Sequence, residues 1–371
     1  PNVSYQVEVT ATNPRGSSVS RSPATASDEY FLPYQWYLWG NWGVNAPNAW
    51  SITRGSEDIV VAVIDTGITD HPELAGRLVD GYDFISDPAV SGDGDGRDSD
   101  PTDPGDGDPA VADQTSSWHG TFVAGIIAAS SDESGQGIAG LASQVKISPI
   151  RALGIAGGSE ADLVAAINWA SGLRVGEEPL NQNPAKVINM SLGTTEVATC
   201  GIASRSAILN AKNRGISVIA AAGNSNTDAA NSYPGNCPGV ITVGATNAIG
   251  WLAPYSNNGS KVNLSAPGGD VSSFSIESPG AQGFITSISN SGDYSAGTPG
   301  YALAEGTSFA APLVSATAAL MYSLRPNLKP DRLLSLLISS SKRFPPESAC
   351  ATSNRCGAGL LDAGRAVSLT P

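Results

Sequence analysis

The sequence predicts an α/β protein built on a doubly wound parallel sheet, and three observations carry that expectation. Ile59-Val60-Val61-Ala62-Val63-Ile64 is an unbroken apolar run ending in Asp65, as in a central strand buried on both faces. Further runs of this kind at 187–191, 217–222 and 240–245 alternate with helix-compatible stretches at 120–129, 159–170, 204–214 and 308–324. The 42 glycines and 25 prolines supply turns and long ordered loops between them. Such alternation implies right-handed crossovers, with ligands taken at the carboxyl ends of the strands.

Composition narrows the class. Of 371 residues 41% are hydrophobic and 15% charged, which is a packed globular chain and not a disordered one. A formal charge of −14 argues against nucleic-acid or anionic-membrane partners, since both require basic patches. No unbroken apolar run reaches the roughly 18 residues needed to span a bilayer. The chain opens without a leader, as expected of a mature fragment already trimmed.

Residues 1–27 differ from the rest of the chain. Tyr5, Val7, Val9 and Ala11 alternate with polar residues, and Asn13-Pro14-Arg15-Gly16 then makes a turn, which predicts a hairpin. The pattern resembles the last two strands of a fibronectin type III domain, so this segment reads as the tail of an upstream module or pro-region. A simple edge hairpin is the plainer alternative. From Asp28 to Pro371 the chain reads as one domain.

Two clusters stand out along the chain. Nine aspartates crowd positions 87–113, with Arg97 as the only cation among them. Asp93, Asp95, Asp98 and Asp100 alternate on a glycine-bent loop, with Asp103 just beyond, a pattern suited to a hard cation with oxygen ligands. A merely solvated acidic loop is the alternative. Four cysteines show no zinc-site spacing. Cys350 and Cys356 lie close enough to clip one loop, leaving Cys200 for Cys237; four reduced, buried thiols remain the other possibility.

The chemistry is sorted by the scarcity of histidine. Only His71 and His119 exist. His71, in Asp-His-Pro-Glu-Leu, reads as a turn residue, whereas His119 opens a helix in Trp-His-Gly-Thr-Phe-Val-Ala-Gly. Ser308, in Gly-Thr-Ser-Phe-Ala-Ala-Pro, sits at a helix N-terminus, where the dipole and free N–H groups favour a developing anion. A serine N-cap is the ordinary explanation of such a residue. Asp65 ends a fully apolar strand, which is costly without a partner, and a histidine would suit it. An α/β-hydrolase esterase or lipase places its histidine after the serine, and none occurs there in this chain. An adhesive or binding protein would require these competent residues to be vestigial.

The motifs Asp-Thr-Gly at Asp65, His-Gly-Thr-x-Val-Ala-Gly at His119 and Gly-Thr-Ser-x-Ala-x-Pro at Ser308 together resemble the subtilase family, in its Asp-His-Ser order. The likeness runs from about Tyr34 to Ala366. It is strongest toward extracellular bacterial members such as the acidic and basic proteases of footrot bacteria, which share the Cys200/Cys237 pair. The resemblance implies a secreted, monomeric serine endopeptidase of subtilisin-like fold acting on proteins and peptides, with its own propeptide as inhibitor and folding aid. It makes Asp65, His119 and Ser308 the triad and Asn224 an oxyanion donor. It places Gly157-Gly158 and Ser191-Leu192-Gly193 along the substrate backbone. Ala221, Ala222, Gly223 and Ser232 then line an uncharged primary pocket with an apolar preference. Calcium is the implied cofactor, held by Asp93, Asp95, Asp98, Asp100 and Asp103. A second calcium loop common in the family aligns with 132–137, but Ser134 replaces its usual Asn, and no ion is expected there. Phe309 stands where the family usually has Met, and Glu305 precedes the Ser308 motif.

Overall fold

The computed structural model describes residues 34–130, 137–155, 157–194, 196–271 and 283–370, together with the backbone of two short N-terminal strands. Those are β1 (Ser4–Val7) and β2 (Ser22–Thr25), paired antiparallel. The turn expected at Asn13–Gly16 and the loop at 132–136 lie outside the described residues.

A seven-stranded sheet forms the centre. Its strands are β3 (Val60–Asp65), β4 (Tyr82–Asp83), β5 (Lys146–Arg151), β6 (Val187–Met190), β7 (Ser217–Ala221), β8 (Val240–Thr246) and β9 (Leu264–Pro267). They run parallel in the order β4-β5-β3-β6-β7-β8-β9. A separate antiparallel pair, β10 (Ile285–Asn290) and β11 (Pro299–Ala304), was not foreseen. Its strand Ile-Thr-Ser-Ile-Ser-Asn carries too few apolar residues to stand out, yet all six are buried.

Alternation along β3 shows why it reads as continuously apolar. Val61 and Val63 enter one core with helices α1 (His119–Ala128) and α4 (Thr307–Leu324). Ala62 and Ile64 enter another with α2 (Glu160–Ala170) and α3 (Ile202–Asn213). A strand covered on both faces has no polar side to show. Helix α4 is long and apolar enough to cross a membrane by length and hydropathy, but 83% of it is buried inside the fold. It is the core helix around which the first layer is built. Both disulfides, Cys200–Cys237 and Cys350–Cys356, are formed, which removes the reduced-thiol alternative.

Candidate active site

The three motif residues arrive from separate elements at one end of the sheet. Asp65 is the last residue of β3, His119 the first of α1 and Ser308 the second of α4. Asn224 comes after β7 and Ser191 after β6, so the carboxyl ends of the strands carry the site, as expected of an open α/β sheet.

Asp65 is completely buried, and its Oδ1 accepts from the Thr66 N–H at 2.9 Å and faces His119 Nδ1 at 2.7 Å. The approach of α1 to the Asp65 loop explains the glycine after His119: a Cβ at Gly120 would lie 2.1 Å from the Gly67 carbonyl oxygen. Trp118, just before, takes a left-handed φ of 51°, which is costly for a bulky residue. It is held there by its indole N–H on the Gly292 carbonyl. Burial disfavours the His119 imidazolium, but the charge and hydrogen bond of Asp65, with Asp106 and Asp103 beyond, outweigh it and raise the pKa above the ordinary histidine value. His71 is a different case. It caps a short turn, accepting from the Glu73 N–H, and burial takes its pKa down to about 4 despite the Gly300 carbonyl beside it. It stays neutral and outside the cluster, as its turn-like sequence suggested.

Ser308 is half-buried, and among the described residues its hydroxyl has no hydrogen-bond partner. Contacts of this kind are often long before substrate binds. Its carbonyl is more tightly specified. Pro312, four residues on, has no N–H to complete the helical bond to that oxygen. Ser191 supplies the missing donor, its hydroxyl reaching the Ser308 carbonyl at 2.6 Å. Asn189 donates to Ser191 Oγ and is fixed in turn by Ser315. The Ser191 side chain therefore braces the Ser308 turn, a use the sequence did not disclose.

Asn224 is oriented by the residue before Ser308. Its Oδ1 accepts from both the N–H and the hydroxyl of Thr307, at 2.9 and 2.7 Å. Among the described residues Nδ2 has no acceptor, and it lies 3.5 Å from where a Cβ on Gly306 would stand. Ser232 is buried among small residues: a Cβ at Gly193 would lie 3.5 Å from its Oγ, and one at Gly223 2.8 Å. Ala221 and Ala222 are both buried, Ala221 in the large core with α1 and α4 and Ala222 in a small cluster with Ala229 and Val262. Gly157 pairs with Gly154 in a tight bridge after β5, and Ser191–Gly193 comes after β6. Since β3 lies between β5 and β6, these two segments flank Asp65.

Burial divides the acidic set. The five aspartates do not meet in one cage, and among the described residues no group of three or more such side chains is arranged to hold a metal ion. Asp93 is taken up by the buried Arg151 at 2.7 Å and by the Ser91 hydroxyl. Burial opposes its charge, but Ser91, the Asp95 N–H and Arg151 prevail and lower its pKa. Asp103 turns inward, accepting from Thr66 Oγ1 at 2.7 Å and the Gly105 N–H, while Thr66 Oγ1 accepts from the Gly120 N–H. Burial, then repulsion from Asp106, raises the Asp103 pKa to about 7. Two of the five thus brace the fold, one of them under α1. Arg97 turns away from the aspartates to Asp162 and Glu178. Asp95 and Asp100 stay exposed, and Asp98 is half-buried, its backbone bridged to Asp83 of β4. Glu305 likewise faces away from the triad, accepting from the Val271 N–H.

Comparison with known proteins settles the family, because the sequence profile described as Subtilase family matches residues 56–359. The chain belongs to the subtilase family. Among subtilases it is 43% identical over 88% of its length to an extracellular protease of Xanthomonas campestris, covering 54% of that protein. It is 37% identical over 93% of its length to an extracellular basic protease of Dichelobacter nodosus, covering 56% of it. The chain thus spans about half the length of these relatives. A solved protease structure from Pseudoalteromonas arctica superposes on 94% of this subtilase chain and on the whole of that one, with TM-score 0.84 at 40% identity.

Thr66, Thr307 and Asn189 were not assigned from the sequence. The two threonines lie inside the recognised motifs and could have been found there. Asn189 depends on Ser315, 126 positions away, and carried no signal.

Proposed function

We propose that this chain is a secreted serine endopeptidase that cleaves peptide bonds through an acyl-enzyme, with Ser308 as nucleophile, His119 as general base and Asp65 as its orienting carboxylate. The observation supporting the reading is the 2.7 Å Asp65–His119 hydrogen bond, with the His119 ring 5.5 Å from that of Phe309, the residue after Ser308 in the first turn of a buried helix. An ionised Asp65 takes the Nδ1–H, which leaves Nε2 to accept the serine proton. Oγ then bonds to the peptide carbonyl carbon, and the oxyanion is held by the Ser308 N–H and Asn224 Nδ2. His119 returns the proton to the amine as the C–N bond breaks, and water repeats the sequence on the ester.

The substrate fits as an added strand between Gly157-Gly158 and Ser191-Leu192-Gly193. An uncharged wall of Ala221, Ala222, Gly223 and Ser232 favours an apolar side chain before the scissile bond. The two disulfides and the relatives named extracellular support secretion. A monomer, regulation by its own propeptide, and residues 1–27 as a segment apart from the 28–371 peptidase domain complete the reading. The test is labelling of Ser308 by a sulfonyl fluoride, with mass spectrometry of peptides cut from denatured proteins. A chain that takes no label and cuts only simple esters is not this enzyme.

Activity is expected to fall on the acid side, because only neutral His119 accepts a proton. Its raised pKa puts the midpoint above the ordinary histidine value of about 6.5. His71→Ala leaves that limb in place, since His71 is already neutral there. Profiles of kcat/KM against pH for both proteins check this, and loss of the limb in the His71 variant would transfer the role.

Calcium, which the family commonly binds, is proposed on the exposed part of the acidic loop. Loss of hydration, then repulsion from Asp98 and Asp93, raises the pKa of the exposed Asp95, and a hard cation would relieve that repulsion. A ligand bound only by the native state stabilises it in proportion to RT ln(1 + [L]/Kd). Chelator is therefore expected to shorten the half-life at elevated temperature without changing the initial rate on a short peptide. Asp95→Asn with Asp98→Asn should remove most of the calcium dependence. Equal decay with chelator and with calcium would make the loop a solvated one.

A further inference from the structure

The segment that carries Asn224 is held by one buried side chain from another part of the fold. Asn257, only 2% exposed, lies beyond β8 and reaches back under residues 222–227. Its Nδ2 donates to the Ala222 carbonyl at 2.9 Å, on the strand side of Asn224. Its Oδ1 accepts from the Ser225 N–H at 3.0 Å, from the Thr227 N–H at 2.9 Å and from the Thr227 hydroxyl at 3.2 Å, on the other side. Its backbone N–H adds a bond to the Gly223 carbonyl at 2.8 Å. One carboxamide thus spans both flanks of Gly223–Asn224.

The geometry of that segment explains the need for such a clamp. Gly223 has a φ of 101°, and Asn226 a φ of 51°, which is left-handed backbone in a residue with a side chain. Neither β7 nor a helix imposes this path, because β7 ends at Ala221. The fit is close: a Cβ on Gly223 would stand 2.3 Å from Asn257 Nδ2. Thr307 fixes the far end of the Asn224 side chain, but nothing on α4 fixes the backbone from which it extends, apart from the Thr307 hydroxyl accepting the Gly223 N–H. Asn257 is itself held, since the Asn258 carboxamide accepts from Arg355 Nε in the loop closed by Cys350–Cys356.

We propose that Asn257 is a positioning residue for the oxyanion hole: it sets the path of residues 222–227 so that the Asn224 amide points at the site where the carbonyl oxygen becomes charged. The inference rests on the catalytic reading above. Because the oxyanion exists only in the transition state and the tetrahedral intermediate, loss of the clamp acts on kcat and leaves ground-state binding alone. A misplacement of about an ångström in such a group costs up to roughly 100-fold.

The test is a double-mutant cycle in the whole chain, with kcat and KM measured on one short peptide. Asn224→Ala alone is expected to lower kcat by about 100-fold or more. Asn257→Ala alone should lower kcat by roughly 10- to 100-fold with KM little changed. In the Asn224→Ala background the same change should cost less than about 3-fold, because the group it positions is already gone. The inhibition constant for a peptide aldehyde, which forms the tetrahedral adduct, should rise with the loss in kcat, while that of a product-like peptide should not. Asn257→Asp keeps the three accepted bonds but sets a buried carboxylate oxygen against the Ala222 carbonyl, so it should lower kcat at least as much as Asn257→Ala. An equal loss from Asn257→Ala in both backgrounds, or a loss confined to KM, would make Asn257 a plain structural residue and overturn the proposal. An Asn224→Ala variant of undiminished kcat would instead undo the oxyanion reading, which keeps the two failures apart.

Discussion

Ser308→Ala is expected to cut kcat/KM by on the order of 10⁶, the size known for removal of the nucleophile in another member of the family. The fold should be unaffected. The serine hydroxyl makes no hydrogen bond among the described residues, so alanine leaves no buried group unpaired. What braces this turn is the Ser308 carbonyl, which accepts from Ser191, and alanine keeps that carbonyl. Thr307 likewise keeps its hold on Asn224. The variant should therefore melt within about 1 °C to 2 °C of the parent, as expected of a substitution that breaks no named interaction. Activity is best measured on a short peptide, and thermal unfolding followed on the same preparation. Retention of more than a small fraction of the parent rate would remove Ser308 from the mechanism. A large drop in melting temperature would mean that the hydroxyl is structural.

The pairing of Asp65 with His119 could be read from the sequence because its chemistry is restrictive. A buried carboxylate at the end of an apolar strand, a histidine opening a small-residue helix and a serine after Gly-Thr each need an explanation, and one arrangement supplies all three. The parallel strands were legible for a related reason, since β3 is covered on both faces and shows no polar side. What escaped depends on pairs far apart in the chain. Ser191 reaches Ser308 across 117 positions, and no local pattern announces that. The aspartates at 93–103 looked equivalent because they alternate in sequence, but burial separates them. Asp93 meets the buried Arg151, Asp103 meets Thr66 and Asp98 bridges β4 through its backbone, leaving Asp95 and Asp100 to solvent. A charge run gives composition, and only packing decides which members are drawn inside.

Asp65→Asn is expected to lower kcat by about 10⁴ near neutral pH, the size known for the same change in an unrelated serine protease triad. The substitution conserves shape, so its effect falls on the histidine. On the proposed mechanism the Asp65 carboxylate accepts the proton of His119 Nδ1, which leaves Nε2 to take the proton of Ser308. An asparagine can turn its NH₂ toward Nδ1, moving the imidazole proton to Nε2, where it can no longer take the proton from serine. The charge effect runs alongside. Burial lowers the His119 pKa, and the charge and hydrogen bond of Asp65 are the largest influences raising it. Without them burial gains weight, the neutral form extends to lower pH, and the midpoint of the acid limb should move down from its raised position. Residual activity should thus be small, with its acid limb displaced toward lower pH. Asp65 Oδ2 is buried with no hydrogen-bond partner among the described residues, but an NH₂ turned to the Oδ1 position gives up the bond from the Thr66 N–H, so some loss of stability should accompany the loss of rate. The check is kcat against pH for both proteins, with circular dichroism to confirm the fold. A limb that stays at the parent position would mean that Asp65 does not set the His119 pKa. A kcat within about tenfold of the parent would mean that another group holds the imidazole in its reactive tautomer, and the orienting role would have to be sought elsewhere.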